Sequence, residues 1–196
     1  MIDIITQYIL NEGYVLSDKT ISVDLSKFQS GIKKKLLVFG VSGSGKTTLG
    51  EKLAKQMKVK WYSIDSFWWR LKQEHFPNRS KYNEMTPEER KQLDSLFDKR
   101  VHEVLTNNER CIIEGINLME PQFRKLVLKH ALIVLGLSSL RAGIRGGIRN
   151  KKRGDDGWWD MIAYPLYNMK NIEPHLKSLR KDIERMPGAE IKEYEV

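Results

Sequence analysis

The sequence predicts an α/β fold, a parallel sheet with helices covering both faces, and three observations predict it. Short apolar runs of buried-strand type recur along the chain: Leu36-Leu37-Val38-Phe39, Cys111-Ile112-Ile113 and Ala131-Leu132-Ile133-Val134-Leu135. Segments with apolar residues at helical spacing stand between them, and strands that alternate with helices require crossovers and hence a parallel sheet. A glycine-rich turn, Gly40-Val41-Ser42-Gly43-Ser44-Gly45-Lys46-Thr47, joins the first of those runs to the first helical pattern.

That turn reads as G-x-x-x-x-G-K-S/T, the pattern of a phosphate-binding loop. Its context agrees. The strand Leu36 to Phe39 leads in, and Thr48 to Met57 follows, with Leu49, Leu53 and Met57 on one helical face. A helix start offers unpaired N–H groups and the positive end of a dipole, so a glycine-rich turn feeding it can wrap donors around a polyphosphate. Gly40, Ser42, Gly43, Ser44, Gly45, Lys46, Thr47 and Thr48 are therefore the candidate donor cradle. Lys46 would reach the outer phosphates and the Thr47 hydroxyl would hold magnesium. The competing reading is a turn that only connects strand to helix; at ordinary residue frequencies the four fixed positions arise by chance in about one chain of this length in a hundred.

In chain order, residues 1–34 form an extension ahead of the loop, and 35–196 form the main domain. Ile2, Ile5, Ile9 and Leu10 fit one helical face that Asn11-Glu12-Gly13 ends, and Thr20 to Leu25 alternates like a half-buried strand. The extension carries no chemical motif; it can cap the sheet, bind a partner or contact substrate. Val59 to Asp65 reads as the second strand of the domain, with Asp65 at its C-terminal end, the edge where open α/β sheets bind ligands. Ser66-Phe67-Trp68-Trp69-Arg70 comes next, and Lys72 to Met85 reads as loop. Thr86-Pro87-Glu88-Glu89 is a strong helix start, and Leu93, Leu96, Phe97, Val101, Val104 and Leu105 carry that helix to Asn107-Asn108. Cys111 to Gly115 is a strand ending in Glu114, Pro121 to Lys129 a shorter helix, and Ala131 to Leu135 another strand. Leu140 to Asn150 bears Arg141, Arg145 and Arg149 every four residues, on one helix face. A mostly polar helix around Ile172 to Met186 and a closing strand within Ala189 to Val196 complete the chain.

Composition limits the class. A chain of 196 residues with 40% apolar content suits one domain with a real core. No run approaches transmembrane length, and Met1-Ile2-Asp3-Ile4-Ile5 lacks the features of a signal peptide, so a cytoplasmic protein with no membrane partner is expected. The single Cys111 sits in an apolar run and supports neither a disulfide framework nor a zinc cluster. A net charge of +9 favours anionic partners without separating a small nucleotide from DNA.

The phosphate loop, Asp65 and Glu114 fall on one sheet edge, the minimum set for phosphoryl transfer. A magnesium ion bridging the outer phosphates needs Thr47 and an acid at a strand end, for which Glu114 is the candidate; the bland alternative is an ordinary strand-end acid. An alcohol is a poor nucleophile at neutral pH, so Asp65 is the candidate general base, with a second magnesium-associated acid or a substrate hydrogen-bond acceptor as alternatives. The arginine row can neutralise charge on the transferred phosphoryl group, with Arg141 on the donor side, or form a solvated basic face or nucleic-acid patch. Gly143, Gly146 and Gly147 within it suit a segment that moves. Trp68-Trp69 and Trp158-Trp159 can stack bases or fill the core. Arg124, in the shorter helix, is a further candidate on the substrate side.

Gly40 to Leu49, Tyr62 to Trp68, Ile112 to Asn117 and the arginine segment after Leu132 to Leu137 together resemble the adenylate-kinase-like P-loop kinases labelled DNA topology modulation proteins, across roughly residues 35–160. The matched features are Asp65 with Trp68 three residues on, and Glu114, Gly115 and Asn117 with one insertion. The resemblance implies a P-loop NTPase three-layer sandwich, a five-stranded parallel sheet of order 2-3-1-4-5 with a lid at about 141–160, and ATP with magnesium as donor. It makes Arg145 and Arg149 lid arginines and Asn117 an acceptor-side contact. The acid after the second strand is also similar to that of polynucleotide 5'-hydroxyl kinases. The expected activity is transfer of the γ-phosphate of Mg-ATP to a hydroxyl of a nucleoside-, nucleotide- or nucleic-acid-type acceptor. A DNA kinase acting on a 5'-hydroxyl or a hydroxymethylated base, a nucleoside monophosphate kinase, and a nucleotide-hydrolysing switch or binding module stay open beside it.

Overall fold

Continuous apolar runs become buried strands because a parallel strand has helices or strands on every side. A computed structural model of the chain describes residues 20–79, 84–136, 163 and 165–194. In chain order these form β1 (Thr20–Val23), α1 (Leu25–Gln29), β2 (Lys35–Phe39), α2 (Lys46–Met57), β3 (Lys60–Ser63), α3 (Ile64–His75), α4 (Pro87–Thr106), β4 (Cys111–Glu114), α5 (Arg124–Val127), β5 (Ala131–Val134), α6 (Glu173–Glu184) and β6 (Ile191–Tyr194). Two 3-10 turns, Asn117–Met119 and Pro121–Phe123, precede α5, and a π turn, Asn168–Ile172, leads into α6.

The strands make one sheet of order β3-β4-β2-β5-β1-β6. The first four are parallel, in the relative order the family resemblance implies. Ser63 pairs with Glu114 and Glu114 with Val38, so the acid stands in one row with the end of β3 and the strand that launches the phosphate loop. Leu36, Leu37, Val38, Ile112, Ile113, Leu132 and Ile133 are wholly buried in the centre of this sheet.

The remaining two strands correct the expectation of five parallel strands. The fifth place is taken by β1, from the segment ahead of the loop, and it runs antiparallel to β5 with Ile21 opposite Val134. β6 lies outside it, antiparallel to β1. With a strand on each side, all four residues of β1 are buried rather than half-buried. Its polar side chains find partners: Gly136 N donates to Thr20 Oγ1 at 2.9 Å, and the Ser22 and Tyr194 hydroxyls lie 3.4 Å apart. At the end of β1, Asp24 accepts Glu190 N at 3.1 Å and pairs with Lys27 at 2.6 Å and Lys33 at 2.8 Å.

Two boundaries move. The second strand of the parallel set stops at Ser63, which keeps extended dihedrals as the cap of α3, and Asp65 occupies the first helical turn, where an acid complements the helix dipole. α3 then runs to His75, because Ile64, Phe67 and Lys72 form a buried stripe and the Lys72 ammonium donates to Arg79 O. The start of α4 is as read: Glu89 N donates to Thr86 Oγ1 at 3.2 Å and Thr86 N to Glu89 Oε2 at 2.7 Å, a reciprocal cap of the kind that contributes about 1 kcal/mol.

The Ile2 to Leu10 helix, Arg141, Arg145 and Arg149 with the lid at 141–160, and Trp158-Trp159 lie outside the described residues. No described helix is long and apolar enough to cross a membrane.

Candidate active site

The phosphate loop follows β2 and turns into α2. Gly43 and Gly45 have φ of 87° and 88°, backbone that a Cβ would strain, so the turn selects glycine there. Gly40 is buried against Ser44, and Ser44 N closes the turn on Val41 O at 3.1 Å. Ser42 N donates to Asn168 Oδ1 at 3.3 Å. The Ser42 and Ser44 N–H groups thus have protein partners. Lys46 opens α2 and is buried, whereas Thr47 and Thr48 on the same turn are exposed.

Three side chains converge beside the loop. Lys46 Nζ stands 3.8 Å from Asp65 Oδ2, and Ile116 N donates to Asp65 Oδ1 at 3.2 Å, so one carboxylate oxygen is anchored by backbone and the other faces the lysine. The Asp65 side chain is 42% exposed, open enough for a ligand to reach. Gly115 makes that position possible: a Cβ there would sit 2.7 Å from Ile64 Cβ and 3.2 Å from Asp65 Oδ1.

Glu114, at the end of β4, is fully buried, and the Thr47 hydroxyl donates to its Oε1 at 3.3 Å. Its Oε2 is buried with no hydrogen-bond partner among the described residues. Burial pushes the Glu114 carboxyl up; Ser63, Lys46 and Thr47 pull it down, and the nearby Asp65 charge adds to the rise. A desolvated carboxylate with one orphaned oxygen, beside an exposed threonine hydroxyl, fits the donor set of a magnesium ion held directly by Thr47 and through water by Glu114. Among the described residues no group of three or more His, Cys, Asp or Glu side chains that could hold a metal ion gathers at one point.

Further along α3, Trp68 is half-buried and meets Trp69 edge-on at 5.1 Å, and Trp69 is 56% exposed. Trp68 and Trp69 follow Asp65 by three and four residues, on the same helical face. Asn117 is half-buried at the head of the first 3-10 turn. Arg124 is engaged elsewhere: Nη2 donates to Met119 O at 3.4 Å and Nη1 pairs with Asp182 at 3.6 Å, tying α5 to α6. The structure thus brings Lys46, Thr47, Asp65 and Glu114 together and leaves Arg124 outside the cluster. Asn168 was not foreseen; a lone asparagine beyond the arginine segment carries no pattern that marks it.

Among solved structures, the chain is similar to shikimate kinase from Bacteroides thetaiotaomicron, with 17% identity, a TM-score of 0.47, and coverage of 76% of this chain and 98% of that one. It is also similar to shikimate kinase from Acinetobacter baumannii in complex with shikimate, with 16% identity, a TM-score of 0.45 and 80% coverage of each chain. No curated protein matches it. The family model described as AAA domain matches residues 36–134, half of the chain, from the phosphate-loop strand to the end of β5. With its loop, its parallel core and that match, the chain belongs to the AAA domain family of P-loop nucleotide-binding proteins.

Proposed function

We propose that the chain is an ATP-dependent kinase that phosphorylates a hydroxyl of a nucleoside-, nucleotide- or nucleic-acid-type acceptor. The observation that carries this reading is the Asp65 carboxylate, anchored by Ile116 N and 3.8 Å from the phosphate-loop lysine. A hydroxyl needs a base at that point, whereas an acceptor that is already an anion does not. Asp65 takes the proton from the acceptor oxygen, a bond forms from that oxygen to the γ-phosphorus, the bond to the bridging oxygen breaks, and ADP leaves. Lys46 balances charge on the transferred group and the loop fixes the donor. Magnesium, when bound by Thr47 and through water by Glu114, neutralises the outer phosphates. The resemblance to adenylate-kinase-like P-loop kinases supports ATP as donor, and the exposed Trp69 beside Asp65 supports an acceptor that carries a base. Arg141, Arg145 and Arg149 are assigned to the donor and the transferred phosphoryl group on sequence position alone.

The test is ATP turnover with nucleosides, nucleotides and oligonucleotides bearing free 5'-hydroxyls, for the native protein and Asp65→Asn. Transfer should fall by about two to four orders of magnitude in the variant, with ATP affinity nearly unchanged. Turnover indifferent to every acceptor but stimulated by a partner protein would replace the kinase reading with a nucleotide-dependent switch.

A further inference from the structure

The phosphate loop is held from outside its own strand and helix. Asn168 is fully buried at the first position of the π turn that leads into α6, and its amide pairs with both polar atoms of one backbone residue. Ser42 N donates to Oδ1 at 3.3 Å, and Nδ2 donates to Ser42 O at 3.2 Å. One hydrogen bond would let the loop pivot; a reciprocal pair fixes its position and its tilt. A π turn is a rare departure from helical geometry that is frequent at functional sites. Here it stands where the amide reaches Ser42.

The pairing is specific to an amide. An aspartate at 168 would lack the donor for Ser42 O, and a leucine of similar size would lack both partners and leave the half-buried Ser42 N–H and C=O without this pairing. Ser42 and Asn168 lie 126 residues apart, and the turn belongs to the part of the chain that returns after the arginine segment. The contact therefore joins the nucleotide cradle to an element that sequence order alone gives no reason to place there.

We propose that Asn168 is a positioning residue for the nucleotide: by clamping the Ser42 peptide it holds the loop in its ligand-ready curve, and it couples occupancy of the loop to the order of the π turn. The inference rests on nucleotide binding by the phosphate loop and not on the identity of the acceptor. Coupling of this kind is reciprocal, so a nucleotide that tightens the loop must also tighten the turn.

The experiment uses the full chain with Mg-ADP as probe. Asn168→Ala should weaken Mg-ADP affinity about tenfold, the scale for losing two ordinary hydrogen bonds at a binding loop. The rise in melting temperature on adding Mg-ADP should shrink with it. A purely structural role would lower the melting temperatures of the free and Mg-ADP-bound protein in parallel and leave the affinity within twofold, and that result overturns the proposal. Hydrogen exchange of the native protein needs no variant: Mg-ADP should slow exchange across residues 168–172, and unchanged exchange there in a protein that binds Mg-ADP also overturns it. Native protein that binds no Mg-ADP would instead remove the nucleotide reading beneath it, and phosphoryl transfer enters none of these measurements.

Discussion

The Thr47 hydroxyl donates to Glu114 Oε1 at 3.3 Å while Oε2 of the same buried carboxylate has no partner. Among the described residues that oxygen is left with acceptor capacity, which a water or a bound cation beside Thr47 would use.

Glu114→Gln keeps the size and the acceptor for Thr47 but removes the charge. Magnesium should then enhance ATP affinity about tenfold less than in the native protein. In EDTA the two proteins should bind ATP equally. Calorimetric titration with and without EDTA measures both, and an equal deficit under the two conditions would show that Glu114 acts on the loop rather than on the metal.

Gly115→Ala tests the packing that places Asp65, the proposed base. The new methyl would press on Ile64 Cβ at 2.7 Å and crowd Asp65 Oδ1 at 3.2 Å. Overpacking of this kind costs about 1–3 kcal/mol, and relief requires α3 to shift. Transfer should therefore fall far more than ATP affinity. A melting curve with a kcat and ATP-affinity comparison checks the split; equal losses in both would mean that the strain is relieved toward the loop.

Asp24 gives an acid-side dependence of stability. Burial raises its carboxyl, but hydrogen bonds from Lys27, Lys33 and Glu190 N outweigh this and lower it to about 2. The folded value lies below the ordinary one near 3.8, so the unfolded chain binds the proton more readily, and this stabilisation is present above about pH 4 and is lost as pH falls through about 2. Asp24→Asn keeps a residue tolerant of the left-handed φ of 51° while removing the charge. The expected cost near neutral pH is about 2 kcal/mol, or roughly 4–8 °C in melting temperature.

His130 titrates in a different window. Burial, then the Lys33 and Lys35 charges, push its imidazole down to about 4 from 6.5. Below pH 6.5 the unfolded chain takes up a proton that the folded chain refuses, so stability is full above that value and declines as pH drops toward 4. His130→Gln should flatten this decline, by about 2 kcal/mol between pH 7 and 4 after allowance for partial solvent contact. Denaturant melts across that range compare the slopes.

The parallel core was legible because strands buried on every side need consecutive apolar residues, and Leu36 to Phe39, Cys111 to Ile113 and Ala131 to Val134 leave little room for another reading. The phosphate loop and the start at Thr86 were legible because their residues have local conformational reasons to be there. β1 was readable as a strand but its partners were not, since alternation at Thr20 to Val23 says nothing about a neighbour at Val134. Ile64 continues an apolar run and reads as strand, yet contact of α3 with α4 and the cap at Ser63 end the strand two residues earlier than Asp65. Asn168 lay beyond reach altogether. Its role is a pairing across the fold, and a single amide in a polar stretch has no periodicity to betray it.

The antiparallel β1 also dictates when this sheet can be finished. Its partners are residues 132–134 on one side and 191–194 on the other, so the first of the described strands pairs with the last of them. Pairing at long sequence separation is slow, and the β1–β6 pair cannot form before residues 191–194 have been made. During synthesis at the ribosome, the free margin of β5 is therefore exposed until β1 docks on it, and β6 has no place in the sheet before then. Mutations at Thr20 or Ser22 should show themselves first as slow maturation and aggregation of nascent chains, and only second as a lower melting temperature.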